Sequence, residues 1–183
     1  MWMLGCRQRN AAWRSWNSGT CCGFHRRLPS RHISPSRMKL HSSAMGCRSV
    51  CCRGGAWDKQ RWVPEARLAR ALPTGAGLVQ LQPGTCEGLA TLNPNEPCTD
   101  ILRTAALVRA VDVVVTVDTM IAHLAGALGR PVCLLLKHRA DWRWMDGRDD
   151  SPWYPSMRLF RQATPGRWDE PLAALAGFLQ ERR

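Results

Sequence analysis

The most constraining feature of this chain is the stretch VDVVVTVDTMIAHLAGALGRPVCLLL at residues 111–136. Val113 to Val117 form a β-branched run without a polar face, and Val132 to Leu136 are apolar throughout. Strands of this kind have to be covered on both sides, as in a parallel sheet. The segment between them, Met120 to Leu128, is helical in pattern, and Gly129 is its natural stop. The stretch therefore predicts a strand, helix, strand unit.

Further elements alternate around this unit. Strands that alternate with helices of about ten residues are typical of βαβ units. The sequence thus predicts an α/β fold, a Rossmann-like parallel sheet with helices on both faces. The other predicted elements are helices at residues 65–72, from Thr99 or Asp100 to Ala110, and at 169–180, and strands at 77–82 and 157–162.

The charge of the chain is distributed unevenly. The formal net charge is +12, but residues 1–70 hold 14 basic and two acidic side chains, whereas residues 71–183 hold 12 of each. A folded surface that is basic throughout to grip nucleic acid is therefore not expected. Residues 1–57 contain no carboxylate and six of the nine cysteines. We expect a basic, Cys-rich, disordered leader over 1–57 and a folded domain over 58–183.

Four interpretations of the leader stay open. It is rich in arginine and serine, as organelle transit peptides are, but prolines, glycines and Cys-Cys pairs interrupt an amphipathic helix. Its arginines and tryptophans would suit RNA or DNA, although no binding motif accompanies them. A third interpretation is a leader without evolved function, from a misassigned start or a shifted reading frame. The fourth is a zinc site, with irregularly spaced ligands at Cys21, Cys22, His25, Cys47, Cys51 and Cys52.

Neither a membrane span nor an export signal is expected. The longest apolar candidate, Ile121 to Leu136, is interrupted by His123, Gly126, Gly129, Arg130 and Pro131. The first ten residues lack the apolar core of a secretory signal. We therefore expect a cytoplasmic protein with reduced cysteines.

Asp118 and Thr119 stand where a buried strand ends and a helix begins. Open α/β folds hold their ligands at this edge of the sheet, and a helix N-terminus suits a phosphate or diphosphate. Thr119 can donate its hydroxyl to a phosphate, and His123, four residues on, shares its helix face. An alternative is that Asp118 only caps the helix and His123 is a core histidine. On the residues alone, the two interpretations have equal weight.

Two runs of this sequence carry a family resemblance, DTMIAHLAGALGRPV at 118–132 and DWRWMDGRDDSPWYPSMRLFRQ at 141–162. Together they resemble the C-terminal glycosyltransferase-like domain of bacterial tetratricopeptide-repeat proteins. That domain is similar to the donor half of family nine, heptosyltransferase-type enzymes of GT-B architecture. The resemblance starts near Lys59 and implies that Asp118, Thr119 and His123 embrace the donor diphosphate. Heptosyltransferases commonly have glycine after Asp-Thr, and here Met120 takes that place, which implies a more crowded loop.

The resemblance adds further candidates around the same cleft. Lys59 matches a lysine that precedes a Trp-Pro helix start in the family, where it can meet a phosphate; a solvent lysine is the alternative. Gln82 ends a predicted strand at the same edge and either touches the nucleotide or is an ordinary turn residue. The loop after Leu136 would form the cleft rim, with packing as the alternative to ligand contact; its candidates are Lys137, Trp142, Arg143 and Trp144.

The implied function is binding of a nucleotide-activated sugar and, if an acceptor half completes the cleft, transfer of the glycosyl group to an acceptor hydroxyl. A GT-B enzyme has a second half that supplies the acceptor site, and neither that half nor the repeats are recognisable here. The alternative is a noncatalytic remnant or a protein-interaction module from a truncated repeat protein. The expected ligands are a nucleotide sugar as substrate and a protein or glycan acceptor. No metal is expected, since we recognise no paired acidic motif for a bound divalent ion. No cofactor is expected either, because the sugar nucleotide is the donor substrate, and a nucleic-acid partner is not expected from the charge distribution.

Overall fold

A computed structural model describes residues 48–51, 58–82, 91–92 and 100–181 of this chain. All of them belong to one compact unit, Lys39–Arg183. Most of the segment assigned to the leader lies outside the described residues, and so do five of its six candidate zinc ligands. The strands are β1 Arg48–Cys51, β2 Leu78–Gln80, β3 Thr91–Leu92, β4 Val113–Val117, β5 Val132–Leu136 and β6 Met157–Arg161.

Within the described residues, four α-helices connect or follow these strands. Local capping explains two of their ends. The Asp100 carboxylate accepts a hydrogen bond from the backbone N–H of Leu102 at 2.8 Å and so caps a helix start. Gly129, with φ +67°, forms the left-handed end of another helix, where Arg130 N–H donates to the Ala125 carbonyl. The helices are α1 Glu65–Ala71, α2 Ile101–Ala110, α3 Met120–Ala127 and α4 Asp169–Gln180, with 3-10 turns at Lys59–Arg61 and Trp142–Trp144.

The six strands form one parallel sheet with the order β3-β2-β1-β4-β5-β6. The chain runs outward from β1 to β3 on one side and then returns to β4 on the other side of β1. In open α/β folds, a crevice forms beyond the carboxyl ends of the strands where the strand order reverses. In this sheet that point lies between β1 and β4, so the residues that follow β4 border the crevice.

Alternate residues of the central strands supply two separate cores. One face carries Val115 and Val117 of β4 and packs against α1 and α4, including Leu68 and Leu175. The other face carries Val114 and packs against α2 and α3. The β-branched run of β4 is thus covered on both sides, which confirms the predicted α/β sheet with helices on both faces.

The predicted elements of residues 65–180 agree with the structure to within about two residues, and two short strands are additional. Thr91–Leu92 forms the edge strand β3 inside a stretch that reads as a loop. Arg48–Cys51 forms β1, within the segment assigned to the leader, and Val50 pairs with Gln80 on one side and Val115 on the other. The sheet therefore includes four residues on the leader side of the expected boundary. Among the described residues, no helix is both long and apolar enough to cross a bilayer.

Candidate functional site

The junction between β4 and α3 places a helix N-terminus at the crevice. Thr119 is the N-terminal cap residue of α3 in extended conformation, and its side chain makes no capping hydrogen bond within the described part of the chain. Its hydroxyl lies 3.4 Å from that of the buried Thr116. The first N–H groups of α3 therefore lack the side-chain acceptor that usually satisfies them, and they suit an anion.

Asp118 precedes this cap and is buried, with 5% of its surface exposed. Its carboxylate lies 3.5 Å from the guanidinium of Arg61, which also donates to the Asp118 carbonyl at 3.0 Å. On the other side, Oδ1 of Asp118 lies 3.9 Å from Nε2 of His123. Asp118 is therefore not the helix cap, and its carboxylate faces the guanidinium of Arg61 and the imidazole of His123. This pairing makes burial of the carboxylate tolerable.

A chain of charges extends from Arg61 along the sheet edge. Arg61 Nε donates to Asp58 at 3.1 Å, and the same carboxylate oxygen accepts from Lys137 Nζ at 2.6 Å. Because of the hydrogen bond and charge of Lys137, with contributions from Arg61 and the Gln60 N–H, the pKa of Asp58 lies below its ordinary value. Lys137 directly follows β5, so this chain ties the 3-10 turn before α1 to the carboxyl ends of β4 and β5.

His123 lies one turn into α3 and is enclosed by aromatic rings. Its ring stacks on that of Trp144 at 5.2 Å between centroids, and its Nδ1 lies 3.1 Å from the hydroxyl of Tyr154. About a third of the His123 side chain is exposed. His123 is therefore not a fully enclosed core histidine, and the edge that carries Nε2 lies beside Asp118.

The remaining predicted donor-site residues occupy different environments. Met120 is the first residue of α3 and is half exposed. Lys59 is exposed in its 3-10 turn, and Arg61 of the same turn is the residue that reaches Asp118. Gln82 follows β2 and is buried, with its carbonyl accepting from the Gln80 side chain at 3.0 Å. The structure thus brings Asp118, Thr119 and His123 together, and their contact with a ligand stays a prediction.

The predicted rim residues divide into exposed and enclosed ones. Trp142 is 73% exposed, and Arg143 pairs with Asp141 at 3.1 Å beside it. Lys137 is engaged by Asp58. Trp144 is fully buried behind His123, and Arg161 of β6 donates to its carbonyl at 3.0 Å. Trp144 therefore supports His123 from inside, whereas Trp142 and Arg143 stay the candidates for the outer rim.

Two residues of this arrangement were absent from the predicted site. Arg61 stands in the Lys-Gln-Arg turn at residues 59–61. The family resemblance indicated Lys59 of this turn, because a lysine precedes the Trp-Pro helix start in the family. Tyr154 follows the predicted rim residues in the sequence, and only its distance to His123 reveals a polar role. No sequence spacing signals either contact, because 57 residues separate Arg61 from Asp118 and 31 separate His123 from Tyr154.

Similarity to a known protein family covers the segment that contains the junction between β4 and α3. The family model of glycosyltransferase family 9 (heptosyltransferase) matches residues 87–170, which include β4, α3 and both runs quoted above, 118–132 and 141–162. Protein FlbA of Caulobacter vibrioides is 31% identical over 119 residues, which is 58% of this chain and 20% of FlbA. The chain therefore spans about a fifth of the length of this curated relative.

Two solved structures share the fold. The heptosyltransferase WaaC of E. coli with ADP has a TM-score of 0.52 at 16% identity and is matched over 79% of this chain and 46% of its own. The E. coli ADP-heptose LPS heptosyltransferase II has a TM-score of 0.51 at 20% identity, over 79% of this chain and 50% of its own. At these identities the likeness concerns the fold. Residues 87–170 thus resemble glycosyltransferase family 9 (heptosyltransferase), and the fold of the chain is similar to that of the two solved heptosyltransferases.

Proposed function

We propose that this chain binds a nucleotide-activated sugar through its diphosphate at the N-terminus of α3 and serves a sugar-transfer reaction. The family match supports a function of the sugar-transfer type. One solved structure of this fold is named as holding ADP, a nucleoside diphosphate. We extend the same class of ligand, a nucleoside diphosphate, to the crevice beside β4 of this chain.

One observation carries the proposal, namely the convergence of Arg61, Thr119 and His123 on the N-terminus of α3. The helix end supplies N–H groups and the positive end of its dipole. Arg61 and His123 add donors from a neighbouring turn and from the next turn of the helix. Asp118 lies between them and holds Arg61 in place, so the cation is positioned before any ligand arrives.

The transfer step follows from ordinary glycosyl chemistry. An acceptor hydroxyl attacks the anomeric carbon, the bond from that carbon to the diphosphate oxygen breaks, and the diphosphate leaves with the bonding electrons. The α3 N–H groups, His123 and Arg61 would stabilise the negative charge that develops on this leaving group. The hydroxyl proton passes to a base, which we expect from an acceptor half because the GT-B resemblance assigns it there.

Calorimetric titration of the full chain with ADP, UDP, GDP and sugar nucleotides tests the proposal. We expect at least one nucleoside diphosphate to bind and His123→Ala to weaken it about tenfold, since hydrogen bonds to charged groups are worth about 1.5–3 kcal/mol. The exposed Arg109 of α2 offers a control. Arg109→Ala removes one positive charge away from the crevice, and we expect it to leave affinity unchanged.

Several results would count against the proposal. If no nucleoside diphosphate or sugar nucleotide binds, the donor site is refuted. Equal weakening by His123→Ala and Arg109→Ala would indicate nonspecific attraction to a basic chain. Tight binding without hydrolysis or transfer from any sugar nucleotide would favour the alternative, a noncatalytic module that retains the donor fold.

A further inference from the structure

The segment DWRWMDGRDDSPWYP at residues 141–155 packs two aromatic side chains around the ring of His123. Trp144 stacks on the imidazole with an angle of 23° between the ring planes, and Tyr154 meets it edge-on at 5.8 Å between centroids. The two aromatic residues also contact each other, with centroids 6.4 Å apart. His123 is thus held on two sides by a loop that follows β5.

The position of Tyr154 is fixed independently of His123. The buried Ser151 accepts hydrogen bonds at 3.3 Å from the backbone N–H groups of Trp153 and Tyr154. The Tyr154 ring lies so close to α3 that a Cβ atom on Gly126 would be 2.5 Å from its Cγ. Only glycine allows this approach, so the helix and the loop together determine where the hydroxyl stands.

The neighbours of the two ring nitrogens favour one tautomer of His123. In a neutral imidazole one nitrogen carries the proton and the other is an acceptor. Nε2 lies beside the Asp118 carboxylate, which favours a proton there, and Nδ1 lies 3.1 Å from the Tyr154 hydroxyl, which can donate to it. Both neighbours therefore favour the tautomer with N–H at Nε2.

We propose that Tyr154 is a positioning residue whose hydroxyl holds His123 at Nδ1 and so presents Nε2–H as a donor to the diphosphate of the donor substrate. This role rests on the function proposed above. Without the hydroxyl, the ring loses its polar anchor and the lone pair at Nδ1 loses its donor. The role resembles that of the partners that orient metal-bound or catalytic histidines through their second nitrogen.

Tyr154→Phe tests this role because phenylalanine keeps the ring that packs on Gly126. We expect affinity for the nucleoside diphosphate that the wild type binds to fall about fivefold, equivalent to about 1 kcal/mol for one hydrogen bond. In a His123→Ala background, Tyr154→Phe should have no further effect. The exposed Arg109 of α2 again offers a control, and Arg109→Ala should bind as the wild type does.

A second readout is independent of ligand binding. In the free protein at alkaline pH, imidazole ¹⁵N NMR should show Nδ1 of His123 as a hydrogen-bonded acceptor, and Tyr154→Phe should move that resonance to the position of an unbonded nitrogen. Unchanged affinity in Tyr154→Phe, or equal loss with and without His123, overturns the positioning role. If the wild type binds no nucleotide, the proposed function fails and this role with it, even where NMR shows the hydrogen bond.

Discussion

Asp58 accepts hydrogen bonds from Lys137, Arg61 and the backbone of Gln60, and these contacts hold its pKa below the ordinary value of 3.8. A lowered pKa in the folded state means that ionised Asp58 stabilises the fold at pH values above 3.8. That contribution is lost as the pH falls through the folded-state pKa.

We therefore expect Asp58→Asn to lower the free energy of unfolding by about 1 kcal/mol at neutral pH, because it replaces a charged acceptor beside two cations. Chemical denaturation from pH 7 down to about pH 2 measures this. The difference from the wild type should shrink below pH 3.8. The exposed Asp112 offers a control as Asp112→Asn, and a difference for Asp58→Asn that persists at low pH would contradict the assignment.

Of the predicted site residues, those that lie in one segment are close together in the structure, and their contact with a ligand stays a prediction. Asp118, Thr119 and His123 meet because the strand-to-helix junction places them within six residues of one another. Arg61 and Tyr154 belong to the same arrangement but arrive from distant segments. Their contacts depend on how α1 and the loop after β5 pack on the sheet, which a single sequence does not encode in any local spacing.

The helices α3 and α4 each contain a glycine, and the surroundings of the two glycines differ. Gly126 in α3 faces the Tyr154 ring, whereas a Cβ on Gly177 in α4 would meet no atom within 4 Å. The two glycines thus form a matched pair in which only one is required by close packing.

We expect Gly126→Ala to destabilise the fold by about 1–3 kcal/mol, because the added methyl displaces Tyr154 from α3. Gly177→Ala should instead stabilise it by up to about 1 kcal/mol through helix propensity. Thermal unfolding followed by circular dichroism compares the two. Equal and small effects of both changes would show that Tyr154 does not pack on α3 as described.

Element prediction depended on the strength of local patterns. The β-branched run of β4 and the apolar β5 were predicted with the bounds that the structure shows. The short strands β1, RSVC, and β3, TL, have no alternation and no apolar run, so they are strands only because neighbours in the sheet pair with them.

At the scale of the whole molecule, β1 connects the two sides of the sheet. It lies between β2 and β4 and comes from residues that the sequence assigns to the leader. A chain that starts at residue 58 would lack this strand, so the backbone groups of β2 and β4 that pair with it would lose their partners.

We therefore expect a chain of residues 58–183 to lose cooperative unfolding, and a chain of residues 39–183, the bounds of the compact unit, to keep it. Denaturant titration followed by tryptophan fluorescence distinguishes the two. If the shorter chain unfolds cooperatively with the stability of the longer one, β1 is dispensable, and the boundary at residue 58 predicted from composition is the functional one.

The proposed function requires a nucleoside diphosphate to bind in the crevice beside β4, at the N-terminus of α3. Hydrogen–deuterium exchange of the full chain with and without ADP or UDP measures this binding at its site, since bound phosphate shields backbone N–H groups. We expect slowed exchange at residues 119–123 and around Arg61, and clearly weaker protection in His123→Ala when the ligand concentration is near the wild-type Kd. Protection confined to residues 1–47, or absent from the start of α3, would contradict it.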